Sequence, residues 1–162
     1  MMRFSLWVSE LDPLLAMIVV LVLAFLAGAA VGIERGLSTS SVGIRTCTLV
    51  ALAAGAFADL VVRRVPDMQW GTAFGAVATG VGFLGAGAII KGGQRDAVTG
   101  LGEAGTIWCV AIIGLLFGAR EVVAGLFVTA LVLAVNRLLR PVASWVDRHR
   151  ARTKPEDDVL DG

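Results

Sequence analysis

The chain is 162 residues long, 57% hydrophobic and only 17% charged, with a mean hydropathy of +0.82. That composition excludes a water-soluble domain with a single core and points to an integral membrane protein. A formal net charge of +1 gives no basic excess for nucleic acid, so on composition the partners expected are the lipid bilayer and proteins within it.

At the N-terminus, Phe4, Trp7, Val8 and Leu11 recur at helical spacing beside Glu10 and Asp12, which suits a short interfacial helix ended by Pro13. Those acids, and the length of the apolar run that follows, argue against a cleaved signal peptide despite Ala27, Gly28 and Ala29. Residues 14–33 carry no charge and are long enough, at 1.5 Å per residue, to cross a hydrocarbon core of about 30 Å. Gly28 and Gly32, with Ala24, are spaced by four and predict a close-packing face.

After a polar connection over 34–45, a second run spans 46–62 and stops at Arg63 and Arg64. Asp59 is an acid inside this segment. Its spacing suits a local ion pair with Arg63, and an intramembrane role is the other reading. Pro66 and Trp70 mark a turn at the membrane surface.

The third run, 71–90, ends at Lys91 and opens a stretch, 71–108, that holds eleven of the twenty glycines. At 100° per residue, Gly71, Gly75, Gly82 and Gly85 form one small-residue stripe with Ala78 and Ala86. Gly80 and Gly87 lie nearly opposite with Ala73 and Ala76, and Phe74, Val77, Val81 and Leu84 between them are the expected lipid contacts. Two such faces predict a central helix with a neighbour on each side.

In the fourth run, 101–118, Glu103, Ile107, Ala111, Gly114 and Gly118 share a face. Glu103 either points at a packed neighbour as a functional acid or caps the first turn, where the helix dipole stabilises it. The fifth run is 122–139. The fold expected is therefore all-α: a five-helix transmembrane domain over 1–140 and a tail over 141–162, basic and interfacial around Trp145, then acidic and disordered.

Five spans put the termini on opposite sides. Ten Lys and Arg fall in the first and third loops and the tail, against four on the other side, so the positive-inside rule predicts an outer N-terminus and a cytoplasmic C-terminus. Glu34, Arg35, Arg45, Thr46, Lys91, Arg95, Glu103 and Thr106 then gather at the cytoplasmic surface as a polar cluster for an ion or a partner. Two carboxylates without histidine or thiolate suit a hydrated hard cation or a proton, and the metal stays open. Cys47 and Cys109 sit apart in apolar runs and read as packing residues. The only histidine, His149, is in the tail, and no nucleophile or zinc motif occurs, so neither an enzyme nor a cofactor is expected.

Four segments, GAAVGIERG (28–36), VGIRTCTLVALAAGAF (42–57), GVGFLGAGAIIKGG (80–93) and VTGLGEAGTIWCVAIIGLLFG (98–118), together resemble the MgtC/SapB family of bacterial inner-membrane proteins. The resemblance implies a multi-pass protein of the cytoplasmic membrane linked to low magnesium, acid stress or virulence. It further implies action on membrane partners such as the ATP synthase or a P-type ATPase. Where the family reads Gly-Leu-Thr-Thr-Ala-Ala, this chain has GLGEAG, so Gly102 and Glu103 stand for two threonines. Many relatives carry a C-terminal cytoplasmic domain for which the twenty-two tail residues leave no room, so regulation through it is not carried over. The function expected is a membrane regulator acting through helix contacts, as a homo-oligomer. The alternative is a small Mg²⁺, K⁺ or H⁺ transporter or channel using Glu103 and Glu34.

Overall fold

The computed structural model describes residues 12–37, 42–91 and 99–152, with side chains for all of these except 90, 91 and 140–152. The N-terminal interfacial segment, Arg95 and the acidic end of the tail lie outside the described residues. Among those described are five helices long and apolar enough to cross a membrane.

Helix α1 is Pro13–Gly36. Pro13 occupies its first turn, where a missing N–H costs nothing, and the Asp12 carboxylate accepts from the Leu14 amide at 2.9 Å. Asp12 and Pro13 therefore start this helix. The helix also continues past the apolar run, so Glu34 and Arg35 ride on its last turn and are not loop residues.

Helix α2 is Ile44–Arg64. A turn through Pro66 and a 3₁₀ helix, Asp67–Gln69, leads to α3, Trp70–Lys91, and the Trp70 indole N–H donates to the Val65 carbonyl at 2.9 Å to hold that turn. Helix α4 is Leu101–Gly118, entered through Gly100 at φ 87. A side chain at Gly100 would meet the Ala88 carbonyl oxygen as well as a left-handed backbone. Helix α5, Val122–Arg152, runs unbroken through Pro141, so the first part of the tail extends the fifth helix.

The inner layer is α1, α2 and α4, with α2 packed most extensively on α4 and α1; α3 lies on α4, and α5 on α4 and α1. The core is built from small and branched side chains: Val20, Ala24 and Val31 of α1, Cys47 and Ala51 of α2, Val110, Ile113 and Phe117 of α4. Close approach comes from glycines, most tightly within the inner layer. A Cβ on Gly28 would sit 2.8 Å from the Ala51 methyl, and one on Gly32 would meet the Ile44 backbone. One on Gly114 would strike the Ala51 carbonyl, and one on Gly118 the Gly55 carbonyl.

The third helix is not central. No atom lies within 4 Å of a Cβ built on Gly71, Gly75, Gly80, Gly82 or Gly87, and Gly85 alone of that stripe makes ordinary contact, with Ala104 and Trp108. Its protein-facing residues include Val81, which is buried, and Val77, which is half-buried, whereas Phe83 is 82% exposed. The assignment of Val77 and Val81 to lipid is thus reversed. Glycine permits close approach without compelling it, and lipid is as apolar as a helix face, so an uncovered glycine stripe carries no solvation penalty. The central place belongs to α4, with Thr106, Ile107, Val110, Ala111, Ile113, Gly114, Phe117 and Gly118 all buried.

Candidate functional site

Polar groups collect at both ends of the bundle. At one end, the last turn of α1 meets the first turn of α4. Arg35 is half-buried, and its guanidinium lies 3.6 Å from where a Cβ on Gly102 would be. Arg35 thus lies over the turn that carries Glu103, at ordinary contact distance from Gly102. Glu103 is half-buried in the first turn of α4, where the helix dipole favours an acid. Arg35 likewise favours the C-terminal end of α1. Glu34, Arg35 and Glu103 all take part in further polar or electrostatic interactions.

The rest of the predicted cluster divides. Thr106 is buried and donates to the Gly102 carbonyl at 2.8 Å, which ties its hydroxyl to its own helix. Arg45 and Thr46 are exposed on the first turn of α2. Arg45 lines a groove between α1 and α2 that includes no α4 residue, so it stands apart from the Arg35–Glu103 turn. Lys91 closes α3, its side chain not described, and Arg95 lies outside the described residues. Among the described residues, no group of three or more His, Cys, Asp and Glu converges so as to hold a metal ion.

At the opposite end, Asp59 is fully buried. The Arg63 Nε donates to its Oδ2 at 2.8 Å, one helical turn away, and the Arg120 Nη2 lies 3.8 Å from its Oδ1. Arg63 also reaches the Met17 Sδ at 3.6 Å. The spacing of Asp59 and Arg63 is legible in the sequence, but Arg120 is not, because it comes from the tight turn between α4 and α5. Its signal is backbone strain: Arg120 holds φ 68, a left-handed conformation that side chains other than glycine's rarely adopt. Asn136 of α5, which no spacing in the sequence singles out, has a buried Nδ2 with no hydrogen-bond partner among the described residues. Cys47 is a free, buried thiol in the core, and Cys109 a free, half-buried one.

The architecture can be set against known proteins. The profile of the MgtC family matches residues 21–145. Similar proteins include Protein MgtC of Brucella abortus (strain 2308), 38% identical over 124 residues, which cover 76% of this chain and 51% of that protein. Protein MgtC of Salmonella typhimurium (strain LT2) is 38% identical over 128 residues, 79% of this chain and 54% of that one. The chain thus spans about half the length of the curated relatives it matches. No solved structure matches it. The match runs from within the first span to beyond the fifth, and the chain belongs to the MgtC family of multi-pass proteins of the bacterial inner membrane.

Proposed function

We propose that the chain is a non-enzymatic membrane regulator, tied to magnesium homeostasis, acid stress or virulence as its family resemblance implies. In this reading it acts on a partner membrane protein through helix contacts and self-associates in the bilayer. Its N-terminus lies outside and its C-terminus in the cytoplasm, which puts the Arg35–Glu103 turn at the cytoplasmic surface. The ATP synthase or a P-type ATPase is the partner class the resemblance suggests.

The observation that carries this reading is that both small-residue stripes of α3 are largely uncovered. Gly28 and Gly32 of α1 and Gly114 and Gly118 of α4 are spent on packing within the chain, while those at 71, 75, 80, 82 and 87 have open space beside them. Such a face lets a second helix approach closely, and van der Waals contact is what drives helix association in lipid. Gly28 and Gly114 are consequently unsuitable probes of association, because a larger residue there disrupts the monomer. Gly75→Leu and Gly80→Leu probe it cleanly. Both variants are expected to keep the fold while cross-linked oligomer, or the membrane protein co-purified in mild detergent, falls several-fold. Unchanged association in both would remove α3 as the contact.

The transporter reading is tested in liposomes. Among the described residues, the grooves at Leu49–Leu84, Phe74–Leu115 and Phe25–Leu52 carry no acidic side chain, which favours the regulatory reading over an ion path. Purified protein is therefore expected to pass no Mg²⁺, K⁺ or H⁺ above empty vesicles. Flux that disappears in Glu103→Gln would reverse the assignment.

A further inference from the structure

The buried carboxylate of Asp59 has more positive charge around it than it can neutralise. Arg63 and Arg120 both lie against it, so the cluster carries a net charge of +1. Asp67 and Glu121, the acids nearest in sequence to the two arginines, form no ion pair with either.

The two arginines are not equivalent. Arg63 is engaged, its Nε donating to the Asp59 Oδ2 at 2.8 Å. The Arg120 side chain makes no hydrogen bond among the described residues, although a guanidinium carries five N–H donors. That side chain is 18% exposed, and its Nη2 stops 3.8 Å from the Asp59 Oδ1. The Arg120 Nε is closed off, but its two Nη atoms are not. The residue sits just past the end of α4 at φ 68, where glycine is the residue that suits the backbone, so a guanidinium is placed here at a conformational cost. Asp59 already has the closer Arg63, and neutralising that one acid does not account for a second guanidinium with all its donors unbonded.

Position and spacing name the chemistry. Arg63 is in the last turn of α2 and Arg120 is two residues beyond α4, so both guanidinium groups sit at the ends of membrane spans, at the depth of the headgroups. Because both lie against one carboxylate, their Nη2 atoms are less than about 8.5 Å apart, and a phosphate accepting on two of its oxygens bridges up to about 8 Å. We propose that the Nη groups of Arg120 and Arg63 together bind a phosphate group, with Asp59 holding both guanidinium groups in place from the buried side. The phosphate belongs to a lipid headgroup or to a free ion, and the fork of arginine suits either. The site is at the opposite end of the bundle from Glu103 and is independent of the α3 face and of the regulatory reading.

The test is thermal unfolding of the intact chain in mild detergent with phosphatidylglycerol, with diacylglycerol of the same acyl chains, or with millimolar inorganic phosphate at matched ionic strength. The wild-type midpoint is expected to rise by about 5 °C with a phosphate source at saturation and not with diacylglycerol. A rise with phosphatidylglycerol alone identifies the headgroup as the source, and a rise with inorganic phosphate identifies the free ion. Arg120→Gly, which removes the guanidinium and suits the left-handed backbone, is expected to fold and to lose the rise. Arg64→Gln, at an exposed arginine outside the cluster, is expected to keep it. No rise with either phosphate source in the wild type, an equal rise with diacylglycerol, a full rise in Arg120→Gly, or an equal loss in both variants would each overturn the proposal.

Discussion

Asp59 carries its charge to a position with no solvent exposure, about 7.5 Å inside the end of α2, and two arginines compensate it. A single carboxylate there, unpaired, would be prohibitively costly, so the pairing is a condition of the fold. Arg63 makes the shorter contact, and Arg120 accepts a left-handed backbone, worth about 1–2 kcal/mol, to reach the other oxygen. Arg63→Gln is expected to destabilise the protein by about 3 kcal/mol, the lower end for removing one member of a buried pair, because Arg120 remains. Arg120→Gln should cost less. Reversible unfolding in mixed micelles measures both, and a wild-type midpoint for Arg63→Gln would show that the pair contributes nothing. The residue-level reading of the sequence reached Asp59 and Arg63 because they are four apart on one helix. It missed Arg120 because a partner 61 positions away in sequence, between α4 and α5, has no spacing rule.

At the scale of the element, glycine has two different uses in this chain. In α4, Gly114 and Gly118 are where α2 approaches, and a methyl at either would meet a backbone carbonyl that cannot rotate away. In α3 the glycines other than Gly85 face open space. Gly114→Ala is therefore expected to cost about 1–3 kcal/mol, the usual penalty of overpacking a tight interface, whereas Gly80→Ala is expected to leave the monomer's stability within about 0.5 kcal/mol of wild type. The same unfolding measurement checks the contrast; equal losses in the two variants would contradict the packing order given to α3 and α4. The buried face of α4 through Ile107, Ala111, Gly114 and Gly118 follows the stripe read from its sequence. The stripes of α3 do not, since a periodic face shows only which side could pack.

For the whole molecule, the proposed topology rests on the five spans among the described residues and on the excess of Lys and Arg on one side, which the positive-inside rule assigns to the cytoplasm. A fluorescent protein fused after Gly162 is expected to be bright, and alkaline phosphatase fused at the same point inactive; the converse pair would invert the topology. The bundle keeps its polar groups at its two ends, with Glu34, Arg35 and Glu103 at one and Asp59, Arg63 and Arg120 at the other. The length between is closed by small side chains of α1, α2 and α4.

The sequence by itself determined the membrane class, the number of spans to within a few residues at each boundary, and the family. Each of these depends on local quantities: the length of an apolar run, the charge that stops it, and the order of short motifs. Tertiary structure alone decided that α4 and not α3 is central, that Arg120 completes the Asp59 cluster, and that Arg45 faces a groove away from Glu103. The reason is common to all three. In lipid, hydrophobicity no longer separates inside from outside, so the fit of one helix surface against another chooses the neighbours, and that fit is a property of pairs of helices that no single segment carries.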